Sequence, residues 1–328
     1  MSRPRVLITR ALPADLLQPL AAIAEVEVWP QEVTAMPRAD LLRRVGGCHG
    51  LLVLLTDRID RDLLDNAPLV RAVSTMAVGY DHIDVPECTK RGIAVCHTPG
   101  VLTESTADLC WAILMASARR LYAGQQAVRE GAWHDWAPFF MAGQDIHGRT
   151  LGIVGLGRIG EAVARRALGF GMRTLYAGPS RKPEAEARTG ARHVPLEELL
   201  AQSDFVVLTA PLRPSTHHLI GRGELARMRP EAILVNVGRG ALCDEDALVE
   251  ALAAGRIWGA ALDVFATEPL APDHPLLALP NVIAVPHIGS ATVQTRRAMA
   301  ALAVAGLADV LLGKRPQHCV NPEVLPAS

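Results

Sequence analysis

The run TLGIVGLGRIG, Thr150 to Gly160, is an apolar strand leading into Gly155-x-Gly157-x-x-Gly160, and the helical stretch EAVARRALGF comes after it. Strand, glycine turn and helix in that order place backbone N–H groups at a helix N-terminus, where they can face a pyrophosphate. This constrains the fold more than any other feature of the chain. A nucleotide domain usually opens with such a turn, yet here it begins almost halfway along 328 residues. The first half must therefore build something of its own.

Short β-rich apolar runs alternate with helical patterns throughout, which predicts an α/β protein with parallel sheets covered by helices. The first part holds RVLIT, EVEVW, GLLVLL, VRAVST and IAVCHT, enough for a complete small sheet. From Thr150 a second set begins with TLGIVG, RTLYAG, FVVLTA, AILVNV, WGAALDV and NVIAVP, enough for a doubly wound sheet. Between them one long helix is expected from about Glu104 to Arg129, apolar on several faces and buried on more than one side, between domains or against another subunit. An ordinary core helix would read the same way. The polar stretch Pro179 to Thr189 is expected to be a surface loop.

The Ala- and Leu-rich tail from Thr295 is helical. If it packs back on the first sheet, the nucleotide domain is inserted in the other domain. The expected division is 1–99 with 287–328 as a substrate-binding, flavodoxin-like domain and 100–286 as an NAD(P)-binding Rossmann domain. Ligands would meet in a cleft between them, with closure about Thr98–Val101 and Val285–His287.

A net charge of −1 with scattered Lys and Arg gives no broad basic field, so neither nucleic acid nor an anionic membrane is expected as a partner. The start MSRPRVLITR reads as a strand rather than a signal peptide, and no apolar run reaches the roughly 18 residues of a membrane span. A cytoplasmic protein is expected. Its six cysteines are dispersed without a CxxC, which suits reduced structural thiols better than a disulfide frame, and no metal site is expected.

Three stretches after predicted strands carry chemistry: NVGRGALCDE with Arg239, ALDVFATEPL with Asp263 and Glu268, and VPHIGS with His287. Loops at the carboxyl ends of strands line the ligand crevice of an open α/β sheet, so these side chains can converge. Singly, Arg239 also reads as a surface charge, Glu268 as a solvated turn residue and His287 as a loop residue. Together they suit reduction of a keto acid. That step needs a cation to hold the anion and polarise its carbonyl, and an acid to deliver a proton as hydride arrives from a nicotinamide. Arg239 offers the forked cation. His287 offers the proton, with Glu268 to fix its tautomer.

GIVGLGRIG, NVGRG, ALDVFATEP and PHIGS, in that order, resemble the D-isomer-specific 2-hydroxyacid dehydrogenases over essentially the whole chain. Through STMAVGYDHID, TPGVLTESTADL and GAWHDWAPFFMAG the chain is most similar to glyoxylate/hydroxypyruvate reductases. The resemblance implies a split two-domain fold, a homodimer formed through the long helix, and Arg239, Glu268 and His287 as catalytic residues. It implies that the Val78 and Gly79 amides grip the substrate carboxylate, and that Ser290 and Trp136 line the substrate pocket, Trp136 from across the dimer. Plain interface packing would explain Trp136 equally. For the cofactor it implies Thr106, Gly155, Gly157, Arg158, Ile159, Gly160, Pro211, Thr216, Val237, Asp263, His287 and Gly289, with Asp263 helping to seat the nicotinamide.

Phosphite dehydrogenases carry a lysine where AVGYD has Val78, which argues against phosphite. Other small 2-keto acids, such as pyruvate and 2-ketogluconate, stay open, and so does a nucleotide-sensing corepressor that binds partner proteins.

Cofactor choice is read from the residues beyond the glycine turn. NAD-binding units place an acid about 20 residues on to bond the ribose 2′-hydroxyl. After Glu161 no acid appears until Glu184, and RTLYAG leads into Ser180, Arg181 and Lys182. A hydroxyl and two cations suit a 2′-phosphate, so NADPH is expected to be preferred, with NADH also used.

Overall fold

The computed structural model describes residues 3–326. The chain divides into two compact units, 1–102 with 292–328 and, between these segments, 103–291. The second unit is thus an insertion in the first.

The first unit is built on five parallel strands, β1 (Arg5–Ile8), β2 (Glu25–Val28), β3 (Gly50–Val53), β4 (Ala72–Thr75) and β5 (Ala94–Cys96). Their spatial order is β2-β1-β3-β4-β5, the flavodoxin-like order. The β3 and β4 residues are all buried, as expected of strands covered on both faces. One cover is the tail helix Val293–Leu311. It lies close because small residues allow it: a Cβ on Gly50 would come 2.9 Å from Leu307 Cδ1, and one on Gly306 would come 3.2 Å from Cys96 Cβ. Ser74 adds a buried hydrogen bond to the Ala303 carbonyl at 2.8 Å.

Beyond that helix the tail is clasped to β5 by Asn321, which is 1% exposed. Its Oδ1 accepts from Val95 N at 2.8 Å, and its Nδ2 donates to Ile93 O and Thr89 Oγ1, each at 2.9 Å. The amide side chain thereby serves as the missing neighbour of an edge strand.

The second unit holds seven parallel strands, β6 (Thr150–Val154), β7 (Arg173–Ala177), β8 (Arg192–His193), β9 (Phe205–Leu208), β10 (Ile233–Asn236), β11 (Gly259–Leu262) and β12 (Val282–Ala284). Their order is β12-β11-β10-β9-β6-β7-β8. The chain leaves β6 toward β7 on one side and returns to β9 on the other, so the glycine turn after β6 stands at the switch point of a Rossmann sheet. The sequence shows six of these strands. β8 has only two residues, too few to carry a period.

Three further expectations are corrected. The helix expected over 104–129 is two, Thr103–Ala118 and Leu121–Arg129, because Arg120 turns left-handed at φ 51°. Ala118 O, which would have continued the first helix, accepts instead from Gln144 N at 2.8 Å. Trp111, Ile113 and Leu114 of the first helix are buried in the core of the second unit, as the ordinary core-helix reading expects. Trp111 stacks on Phe170 at 4.7 Å and donates its indole N–H to Val163 O.

The segment expected as a loop, Pro179 to Thr189, contains the helix Pro183–Thr189, started by proline at its first turn and stopped by Gly190 at φ 67°. Finally, the second crossing between units falls at Ala291–Thr292 and not before His287. His287 N donates to Asp263 O at 2.9 Å, which holds it to the end of β11.

The Asn321 clasp makes a simple prediction. Asn321→Leu strips partners from the buried Val95 amide and Ile93 carbonyl, at a cost of about 1–3 kcal/mol for such a group. The thermal midpoint should fall by several degrees; an unchanged midpoint would show that the clasp contributes nothing.

Candidate active site

The glycine turn has the dimensions of a pyrophosphate cradle. Gly155 adopts φ +99°, and a Cβ there would lie 2.7 Å from the Ala210 backbone. A Cβ on Gly160 would lie 2.5 Å from Gly155 O, so the helix Arg158–Ala167 can approach its strand only with glycine there. Gly157, the N-cap of that helix, has open space where its side chain would be. One glycine turns, one leaves room and one packs, which is the division of labour a bound dinucleotide requires. Arg158 and Ile159 supply the first helical N–H groups at the cradle. The residues present therefore fit a nicotinamide dinucleotide. The neighbouring loop after β9 is closed by Thr216, whose hydroxyl donates to Pro211 O at 2.7 Å and accepts from Arg213 N at 2.8 Å.

At the end of β7, Arg181 is 71% exposed, but its guanidinium is already gripped by Glu186, with Nε to Oε2 at 2.9 Å and Nη2 to Oε2 at 2.7 Å. Glu186 is only 13% exposed and also accepts from the Tyr176 hydroxyl at 2.7 Å. These two hydrogen bonds hold its carboxyl below the usual range. The Tyr176 oxygen in turn accepts from Lys182 N at 2.7 Å. Counting acids along the chain misses Glu186, because it returns to the strand end from the next helix. Ser180 and Lys182 are exposed beside it.

At the far ends of β10, β11 and β12 three loops interlock. The buried Asn236 shapes the first: its Oδ1 accepts from Gly238 N at 3.1 Å and its Nδ2 donates to Arg239 O at 2.8 Å. Gly240 lets this loop touch the next, since a Cβ there would overlap the Phe265 carbonyl carbon at 1.8 Å. Arg239 is held between these points, with Nη1 donating to Gly238 O at 2.9 Å. Val237, just before, is buried.

Asp263 follows β11 and is 1% exposed. Its carboxylate accepts from Ile288 N at 2.6 Å and Gly289 N at 2.8 Å, while its carbonyl accepts from His287 N at 2.9 Å. Burial pushes its carboxyl up; the two amides and His287 oppose that shift. Both side-chain oxygens are therefore engaged by the chain's own loop. Gly289 is equally confined, because a Cβ would meet Asp263 Oδ2 at 3.0 Å and Thr106 Cγ2 at 3.3 Å.

Held this way, His287 adopts φ 52°, a left-handed conformation uncommon outside glycine. Its Nδ1 lies 2.7 Å from Glu268 Oε2. Glu268 Oε1 accepts from Phe265 N at 3.0 Å. Burial alone would raise the Glu268 carboxyl, but His287, the Phe265 amide and the nearby Arg239 charge outweigh it and leave the pKa below the ordinary glutamate value. Glu268 is thus a carboxylate bonded to one ring nitrogen, and Nε2 is left to exchange a proton with a ligand.

Arg239, Asp263, Glu268, His287 and Gly289 are therefore gathered in one unit, with Ser290 half-buried next to them. Val78 and Gly79 lie in the other unit, in the turn after β4, where His97 Nδ1 contacts Val78 O at 3.0 Å. Trp136 is 76% exposed. Among the described residues no group of three or more His, Cys, Asp or Glu is placed to hold a metal ion, and no helix is long and apolar enough to cross a membrane.

Residues 111–289 match the model of the D-isomer specific 2-hydroxyacid dehydrogenase, NAD binding domain. The chain is 50% identical to a glyoxylate reductase of Thermococcus gammatolerans over 327 residues, which cover 98% of this chain and 97% of that one. A solved structure from Thermus thermophilus is 48% identical with a TM-score of 0.90, over 96% of this chain and 99% of that one. The NADPH-dependent glyoxylate/hydroxypyruvate reductase of Sinorhizobium meliloti, solved in complex with NADP and malonate, is 32% identical with a TM-score of 0.85, over 100% and 99% of the two chains. With this match covering the site just described, the chain belongs to the D-isomer-specific 2-hydroxyacid dehydrogenases, a family of NAD(P)-dependent oxidoreductases.

Proposed function

We propose that this enzyme reduces glyoxylate, and hydroxypyruvate with it, to the 2-hydroxy acid, with NADPH preferred and NADH also used. The observation that carries the reading is the 2.7 Å contact of His287 Nδ1 with the Glu268 carboxylate, on the loop beside Arg239. The glyoxylate reductase likeness, nearly full length, supports the substrate class.

Gly155, Gly157 and Gly160 would hold the dinucleotide by its pyrophosphate, and its nicotinamide would supply the hydride chemistry. The chain's residues do the rest. Arg239 pairs its planar fork with the keto acid's carboxylate and polarises the carbonyl beside it. His287 delivers the proton to the carbonyl oxygen from Nε2. Glu268 fixes the ring through Nδ1 and so determines which nitrogen faces the chemistry. Asp263 positions His287 through the backbone of its loop. In the first unit, the Val78 and Gly79 amides are assigned to an anionic group. The reading includes a homodimer, because Trp133, Trp136, Phe139 and Phe140 expose more apolar surface in one short segment than a monomer normally leaves in water.

Cofactor preference follows from charge at the end of β7. Arg181 and Lys182 stand against one carboxylate, Glu186, so the site keeps one excess positive charge for a 2′-phosphate. Glu186 tempers that charge, so NADH is expected to serve as well. The NADP complex of the Sinorhizobium meliloti relative supports the phosphate reading.

Turnover of NADPH with glyoxylate tests the function, with hydroxypyruvate, pyruvate, 2-ketogluconate and phosphite for comparison. A markedly better kcat/KM with one of the last three would reassign the substrate, and cofactor binding without oxidation would make the protein a sensor. His287→Ala should lower kcat by about 10²–10⁴-fold while cofactor still binds. Arg239→Lys should be severely impaired, since an ammonium cannot reproduce the two-pronged contact. Wild-type kinetics in either variant would remove that residue from the site. Arg181→Ala with Lys182→Ala should raise KM for NADPH much more than for NADH, and the difference should shrink in high salt. Equal weakening of both cofactors would refute the 2′-phosphate assignment.

A further inference from the structure

Two of the six cysteines are not dispersed at all in space. Cys96 ends β5, and Cys319 lies on the tail that runs antiparallel to it; the two form a bridge pair. The flanking residues make the ladder hydrogen bond, Val320 N to Val95 O at 2.8 Å. Cys96 and Cys319 therefore face each other at a non-hydrogen-bonded position, where Cα atoms are about 4.5 Å apart. That separation falls within the roughly 4.4–6.8 Å span that a disulfide bridges. The Asn321 clasp, two residues on, fixes the register.

We infer that Cys96 and Cys319 are a thiol pair that a hydroperoxide oxidises to an intramolecular disulfide. The two side chains differ in the way such a reaction needs. Cys96 is 1% exposed, whereas Cys319 is half-buried and reachable. The neighbouring Cys96 thiol draws Cys319 below an ordinary thiol, while Cys319 and burial push Cys96 up; Cys319 Sγ also lies 3.5 Å from Asn321 Oδ1. Cys319, the sulfur a peroxide can reach, is therefore the one that attacks as its thiolate, and the enclosed Cys96 is the one that resolves. Three others, Cys88, Cys110 and Cys243, are buried with their thiols pushed up to about 12 and are inert by comparison.

In the first step the Cys319 thiolate attacks one peroxide oxygen, the O–O bond breaks, and the departing oxygen takes up a proton and leaves as water or alcohol. Cys319 is then a sulfenic acid. The Cys96 sulfur next attacks that sulfur; the S–S bond forms, the S–O bond breaks, and the hydroxyl leaves with the Cys96 proton as water. Two thiols lose two electrons and two protons, and the peroxide is reduced. The bridge closes a loop that contains the entire second unit, so it constrains the unfolded chain strongly.

The test is to treat the reduced protein with hydrogen peroxide and count thiols. Free thiols should fall from six to four, the intact mass should drop by two hydrogen atoms, and a non-reducing digest should yield one peptide pair joined through Cys96 and Cys319. The thermal midpoint should rise by several degrees and return on adding dithiothreitol. Cys319→Ser should abolish both the bridge and the rise, while Cys48→Ser keeps them. Six surviving thiols, oxygen added at Cys319 without a cross-link, or a cross-link through other cysteines would each overturn the inference.

Discussion

The loop that carries His287 is anchored on one buried carboxylate. Asp263 incurs a desolvation penalty at the end of β11 and offsets it by accepting two backbone amides from the loop that carries His287. Together with the His287 amide on Asp263 O, those bonds fix the loop in which His287 turns left-handed and its ring meets Glu268. Burial is what gives the arrangement precision: a carboxylate with no water to turn to has only the Ile288 and Gly289 amides, and they have only one place to be. Gly289 and Gly240 then remove the side chains that would hold the three loops apart.

A similar sparseness governs the nucleotide side. Its shape lies in a handful of positions where atoms are missing, at Gly155, Gly157 and Gly160, and the proposed cofactor preference rests on the balance of three charges at Arg181, Lys182 and Glu186. A bidentate ion pair on a largely exposed arginine adds little to stability. Its value is geometric, because Glu186 is itself held by Tyr176 and so fixes where the Arg181 fork stands. The cation is presented, not merely nearby.

Much of this architecture is legible in the sequence because it is local. Among the described residues, the glycine turn, eleven of the twelve strands and the tail helix each announce themselves within a dozen residues. What escapes the sequence is set by distant partners. The break at Arg120 exists because Gln144 takes the Ala118 carbonyl, and no helical period records that. The helix Pro183–Thr189 is short and polar, yet Pro183 and Gly190 mark its ends for a reader who weights those signals over composition. Glu186 lies far enough along the chain to be discounted as a partner of the glycine turn, and the fold returns it to Arg181. The cysteines look scattered because Cys96 and Cys319 belong to opposite ends of a unit that the insertion divides. At the site itself, residue types and positions after strands are readable; the Asp263 clamp is not, since a sequence shows an acid but not the amides it meets.

On the proposed reading, Asp263 acts through His287. A double-mutant cycle on kcat/KM between Asp263→Asn and His287→Ala measures this directly, because it isolates the coupling from each residue's separate contribution. If the clamp works by placing the His287 ring, Asp263→Asn should cost heavily in the wild type and almost nothing once His287 is alanine. Equal losses in both backgrounds would show that Asp263 serves the reaction independently of His287, and that the clamp is not what holds this site together.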